Sequence, residues 1–106
     1  MKLSIIVPVY NMASDGKLEY CLDSLIGQTV EDYEIIAVDD CSTDHSFEIL
    51  KRYEARFPEK FHAVHSKVNK HQGGAKNIGL RMAKGDWIGF IDPYGLHIFW
   101  AKSYAP

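Results

Sequence analysis

The amino-acid sequence predicts an α/β domain: three layers, with helices on both sides of a mainly parallel sheet. Three observations carry this. Four short runs of mostly apolar, often β-branched residues, at 3–9, 33–38, 61–65 and 87–91, are separated by stretches of helical character. The intervals are long enough for crossover connections, which parallel strands require. The first, second and fourth runs end in polar residues, Tyr10-Asn11, Asp39-Asp40 and Asp92. Strands whose carboxyl ends share one edge of an open sheet commonly gather ligand-binding groups there.

A chain of 106 residues supports one domain of modest core and not two. With 46% apolar and 25% charged residues and a net charge of −2, it falls among ordinary globular domains. Both signs are interspersed, so neither a nucleic-acid surface nor a polybasic membrane patch is expected. The histidines (His45, His62, His65, His71, His97) have no zinc spacing and read as surface or half-buried side chains. Cys21 in a helix and Cys41 in a turn form no disulfide framework, which suits free thiols in a reducing, cytoplasmic compartment. The apolar start is too short for a membrane span or a signal peptide.

In order, Leu3-Ser4-Ile5-Ile6-Val7-Pro8-Val9 has the continuous apolar character of a central parallel strand. Pro8 lacks an N–H, so the strand is expected to end or leave the sheet there. After a loop, a helix is predicted over 17–26, with Leu18, Cys21, Leu22 and Leu25 on one face and Gly27 ending it. The second strand stops at two adjacent carboxylates. A second helix follows Asp44, with Phe47, Leu50 and Phe57 sharing a stripe and Pro58 marking its end. Residues 61–65 alternate as a short third strand. Gly73-Gly74 are expected to open a third helix over 75–83, closed by Gly85, and the fourth strand ends at Asp92. Residues 93–106 show no clear period and do not read as a continuation of the domain.

The stretch from Ile35 to Asp44 organises the candidate site. An apolar strand ends in Asp39-Asp40 and passes into Cys41-Ser42-Thr43-Asp44, residues that favour turns and helix N-caps. A structural role, closing the strand and capping the next helix, explains Asp44 well and the doubled aspartate poorly. Gly73-Gly74 alone fit a simple turn, and Asp92 before Pro93 fits a strand stop. Their convergence on one edge points further. A helix N-terminus, with Lys76 expected in its first turn, suits anions. Carboxylates suit hydroxyls, a base N–H or a divalent metal. A nucleotide diphosphate takes both kinds of partner.

Five segments carry a resemblance: Ser4-Ile5-Ile6-Val7-Pro8-Val9-Tyr10-Asn11; Cys21-Leu22-Asp23-Ser24-Leu25-Ile26-Gly27-Gln28-Thr29; Tyr33-Glu34-Ile35-Ile36-Ala37-Val38-Asp39-Asp40-Cys41-Ser42-Thr43-Asp44; Gly74-Ala75-Lys76-Asn77-Ile78-Gly79-Leu80; and Gly85-Asp86-Trp87-Ile88-Gly89-Phe90-Ile91-Asp92. In this order and spacing, the chain from Leu3 through Asp92 resembles the nucleotide-sugar-binding half of a family 2 glycosyltransferase. The resemblance implies a Rossmann-like GT-A fold, cut short after the fourth strand. It also implies a nucleotide-diphosphate sugar donor, commonly UDP-linked, held with Mg²⁺ or Mn²⁺.

On that resemblance, Pro8 and Tyr10 line the base and Asp40 accepts from the uracil N3–H, while Asp39 supports the turn. Lys76 stands near the diphosphate where the family usually has Arg, a point charge in place of a bidentate fork. Asn77 matches the next polar position, with a helix-structural role equally open. Asp92 matches the first acid of an Asp-x-Asp metal motif that touches ribose and metal-bound diphosphate. No catalytic residue is expected here, because the family's base comes from the acceptor-binding half. In the intact enzyme, a glycan or lipid-linked sugar would accept the transfer, in the cytoplasm or against the inner face of its membrane.

Three departures stand out. The loop from Asn11 to Lys17 is longer than usual, so its acidic contact is expected at Asp15. Cys41 replaces a usual Gly or Ser. Tyr94 occupies the second acid's place, which leaves the metal site incomplete. The sequence is therefore also compatible with a non-catalytic nucleotide-binding remnant that self-associates through sheet surfaces left uncovered. A receiver-like phosphoacceptor is weaker, since the paired acids end the second strand rather than the first. A dinucleotide-binding enzyme is weaker too, since Gly73-Gly74 make no G-x-G-x-x-G.

Overall fold

β1 (Leu3–Val9) lies inside the sheet because it is apolar on both faces. Leu3, Ile5, Val7 and Val9 pack on one side and Ile6 on the other. The computed structural model describes residues 3–27, 32–69, 71–92 and 95–100, with the backbone alone for His71, Gln72, Asp92 and 95–100. β2 (Tyr33–Asp40) runs parallel to β1 from Leu3↔Tyr33 to Val9↔Asp39 and is buried along its whole length. β3 (Phe61–Ser66) extends the parallel sheet beyond β2, and β4 (Trp87–Asp92) pairs parallel on the other side of β1. With a fifth strand, β5 (Gly95–Trp100), the order is β3-β2-β1-β4-β5.

Strand parity sorts the core into two faces. The odd-numbered residues of β1 and β2 pack with Leu18, Leu22 and Leu25 of α1 (Lys17–Ile26) and with Ile49, Leu50 and Tyr53 of α2 (Ser46–Arg56). On the other face, α3 (His71–Met82) covers Ile6, Ile36 and Val38 through Ala75, Ile78 and Leu80. The three expected layers are present, and the first helix has the predicted bounds.

Four differences from the sequence expectation have physical causes. β2 continues through both aspartates, because β3 pairs with it as far as Asp40↔Ser66. Phe57 stands at the C-cap of α2 while still packing on the same core as Phe47 and Leu50, and Ile49 and Tyr53 complete the buried face. α3 begins at His71, so Gly73 and Gly74 lie inside its first turn instead of preceding it, and Lys76 moves to the second turn. Finally, Gly95–Trp100 forms a strand, β5, antiparallel to β4 from Trp87↔Trp100 to Asp92↔Gly95. Leu96, Ile98, Phe99 and Trp100 have strand propensity. The edge of β4 accepts them although they lack a period. Pro93, Tyr94 and 101–106 lie outside the described residues.

Candidate functional site

The strand order reverses at β1: the chain first builds outward through β2 and β3, then returns to β4 on the opposite side. Such a switch point leaves a crevice at the carboxyl ends of the two flanking strands, β1 and β4. The ladders show where it opens. β1 pairs with β4 only from Leu3↔Trp87 to Ile6↔Phe90, but stays with β2 as far as Val9↔Asp39. Pro8 lies just past the last β4 pair. The strand does not end there, as expected from the sequence. It leaves β4 while keeping β2, so the missing N–H falls where the ladder has already parted. Two residues beyond Phe90, Asp92 ends β4 on the far side of this gap.

The paired aspartates face opposite ways. Asp39 shares the face of Ile35 and Ala37, toward α2, and is wholly buried. Its Oδ2 accepts from the Ser42 N–H at 3.3 Å and meets His65 Nδ1 at 2.9 Å. Asp40 shares the face of Ile36 and Val38, toward α3, and is 3% exposed. The alternation of a strand thus separates one carboxylate, tied into the turn, from another at the switch-point side of the sheet.

The loops that follow β1 and β2 are stitched together. The Asn11 N–H donates to Ser42 Oγ at 3.0 Å, and the Thr43 N–H donates back to Asn11 Oδ1 at 2.8 Å. The Met12 N–H donates to Ser46 Oγ at 2.9 Å. Asp44 accepts from the Ala13 N–H at 3.1 Å and from the Ser46 N–H at 2.9 Å. The Ser46 hydroxyl foremost, and these N–H groups after it, hold the Asp44 carboxyl below its ordinary range. Asn11 and Cys41 both take left-handed backbone, at φ 49° and 61°. Asn tolerates this region better than Cys does. The Cys41 thiol donates to the Lys67 carbonyl at 3.3 Å, anchoring the turn to the segment after β3. Tyr10, at the junction of β1 and this loop, is 49% exposed.

On the other face, Ala75 is buried against Ile36 and Val38, and Lys76 Nζ sits 5.2 Å from the Phe90 ring centroid. That cation–π contact holds the ammonium over β4, two residues from Asp92. Asn77 is exposed, on the side of α3 opposite the inward Ala75 and Ile78. The structure therefore places Pro8, Tyr10, Asp40 and the backbone of Asp92 at the carboxyl ends of β1, β2 and β4, with Lys76 over β4. It holds Asp39 on the opposite face of β2 and leaves Asn77 on the outer surface. Asp15 is exposed, in a left-handed conformation within the short 3₁₀ turn Ser14–Gly16.

A divalent metal needs several oxygen or nitrogen ligands. Among the described residues, no three His, Cys, Asp or Glu side chains gather in a way that could hold one. Asp39 and Asp40 diverge across the sheet, and the side chain of Asp92, the metal ligand implied by the resemblance, lies outside the described residues. No sequence signal marks Ser42 and Ser46 as the acceptors that join the two loops. His65 reads from the sequence as a surface or half-buried histidine and also contacts Asp39. Its position at the carboxyl end of β3 was the one available signal.

Comparison with known proteins is consistent across sequence and structure. The sequence profile of Glycosyl transferase family 2 matches residues 4–93. A poly(ribitol-phosphate) beta-glucosyltransferase of Bacillus spizizenii is 46% identical over 95 residues, covering 87% of this chain and 14% of that protein. S. aureus TarS 1-349 in complex with UDP-GlcNAc superposes with a TM-score of 0.76 at 34% identity, covering 87% of this chain and 26% of that one. A mannosyltransferase from Pyrobaculum calidifontis, in complex with GDP-Man and Mn²⁺, gives a TM-score of 0.71 at 26% identity, over 83% of this chain and 26% of that one. This chain spans a seventh to about a quarter of these proteins.

Proposed function

The chain belongs to glycosyl transferase family 2, and from that premise we propose that it binds the donor, a UDP-linked sugar, for inverting transfer to an acceptor hydroxyl. The observation that carries this is the divergence of Asp39 and Asp40. One carboxylate fixes the turn, and its neighbour, at the switch-point crevice, reads the base. A carboxylate oxygen accepts the uracil N3–H, while the exposed ring of Tyr10 packs on the base and Pro8 lines it. Lys76 supplies positive charge for the diphosphate, and the ribose is assigned to Asp92. That TarS is held with UDP-GlcNAc supports a UDP donor.

If Mg²⁺ or Mn²⁺ binds with the donor, Asp92 would hold it, and the ion would offset the charge of the diphosphate. The base that activates the acceptor is expected outside this chain. Robust sugar transfer by the 106 residues alone is therefore not anticipated. We place the acceptor, a glycan or lipid-linked sugar, and the whole enzyme on the cytoplasmic side of the membrane, and no nucleic acid enters the reading. Asn77 is retained as a donor contact only if α3 turns on binding. Otherwise its role is structural.

The test is calorimetric titration of UDP and CDP, with and without Mn²⁺, into the wild-type chain and Asp40→Asn. Cytosine has no N3–H, so the wild type should prefer UDP. A hydrogen bond to a charged group sets the loss in Asp40→Asn at about tenfold or more for UDP. The amide can donate to cytosine N3, so the preference should flatten or invert. Equal binding of UDP and CDP by the wild type, or none of either, would refute the reading.

A further inference from the structure

We propose that His65 is a positioning residue for the donor site: by holding Asp39 it fixes the turn over 41–46, and through it the loop that carries Tyr10. The inference rests on the nucleotide-binding reading above and concerns a residue outside the motifs that define it.

The starting point is the solvation of Asp39. Its carboxylate is wholly buried, and Oδ1 has no hydrogen-bond partner among the described residues. Oδ2 has two contacts, the Ser42 N–H at 3.3 Å and His65 Nδ1 at 2.9 Å. A buried carboxylate with so few donors depends on each of them, and the shorter contact is the imidazole. A carboxylate oxygen only accepts, so Nδ1 carries the proton. His65 and Asp39 are register partners on adjacent strands, which puts their side chains on one face. The Phe47 ring of α2 lies 4.8 Å from the imidazole, tilted by 40°, and limits its rotation.

From Asp39 the contacts lead directly to the site. Ser42 is bound through its N–H to Asp39, and its hydroxyl accepts the Asn11 N–H. Asn11 Oδ1 takes the Thr43 N–H. These bonds hold Asn11 and Cys41 in left-handed conformations, of which that of Cys41 is the costlier. Tyr10 directly precedes Asn11, and Asp40 directly precedes Cys41. Both groups proposed to read the base are therefore one residue from a backbone position that this network maintains.

Two variants separate positioning from general packing. His65→Leu keeps bulk and removes the donor, whereas His65→Asn restores an N–H close to the position of Nδ1. The readouts are UDP affinity by calorimetry and amide hydrogen exchange at Ser42 and Thr43, against Ile35 and Ile36 as strand references. His65→Leu should weaken UDP binding about tenfold, the scale of one charge-assisted hydrogen bond. It should speed exchange at Ser42 and Thr43 while the strand amides stay protected, and His65→Asn should recover most of both. UDP affinity unchanged in His65→Leu, with the wild type binding, would overturn this inference alone. So would equal losses in both variants with faster exchange throughout. No UDP binding by the wild type would overturn the donor reading and this inference together.

Discussion

The Ser4 hydroxyl donates to Glu34 Oε2 at 2.6 Å, deep between β1 and β2, where both residues are buried. The same carboxylate oxygen accepts the Lys84 N–H at 2.8 Å, and Ser4 Oγ accepts the Gly85 N–H, also at 2.8 Å. His62 Nε2 lies 3.4 Å from the other oxygen. A carboxyl group buried at this depth is tolerated because the Ser4 hydroxyl and the Lys84 N–H donate to it and the His62 ring lies beside it. This lock ties the segment joining α3 to β4 against the two central strands. It sets where α3 ends, and so how far Lys76 stands along the sheet.

Gly85→Ala should break that lock. A Cβ there would lie 2.6 Å from Ser4 N and 2.8 Å from both Leu3 C and Ser4 Oγ. Two of these three atoms are backbone in the central strand and cannot give way. Overpacking of this kind costs about 1–3 kcal/mol. Urea unfolding should show a lower midpoint at similar slope. Ser4→Ala, which loses the same bonds, should combine with Gly85→Ala by less than the sum. A midpoint equal to the wild type's would discount the lock.

What the sequence made legible follows from where local rules govern. Leu18, Leu22 and Leu25 lie on one helical face and Gly27 follows them, so α1 could be read to the residue. Asp39 and Asp40 could be read as a pair, and strand alternation then assigns them to different faces. That assignment needs the strand to continue past Val38, which only the pairing with β3 determines. The start of α3 is not legible in the sequence, because two glycines usually break helices. Here the helix is held by packing of Ala75 and Ile78 on β2, which overrides the weak local preference. Contacts such as His65 to Asp39 join residues 26 apart and have no local signature.

Asp44 makes stability depend on pH on the acid side. Its carboxyl is held below the ordinary value of 3.8, chiefly by the Ser46 hydroxyl. A depressed carboxylate contributes stability that is complete above the unfolded value and disappears as pH falls through the folded one. Asp44→Asn should therefore be less stable than the wild type at about pH 6, and the gap should close on acidification well below the ordinary 3.8. Urea midpoints at the two pH values measure this. A gap that stays constant would mean that the loop contacts do not depend on the charge.

Gly79 sets the separation of α3 from the sheet, and its substitution reverses the ordinary rule for helices. In a helix interior, Gly→Ala usually stabilises by about 1 kcal/mol, because Ala loses less backbone entropy. Here the added Cβ would stand 2.5 Å from Ile6 Cγ2 and 3.0 Å from Cγ1. Ile6 is fully buried in β1, and its β-branched side chain has little rotamer freedom with which to yield. The helix must then lift, carrying Lys76 away from Phe90 and the crevice. Gly79→Ala should lower stability by about 1–3 kcal/mol and weaken UDP binding more than it weakens the Ser4–Glu34 lock. Ile6→Ala costs about 2–5 kcal/mol alone, but it removes the atoms in conflict. The double variant should therefore be more stable than additivity predicts, and should recover UDP affinity relative to Gly79→Ala. Strict additivity would mean that α3 does not rest on Ile6 through Gly79.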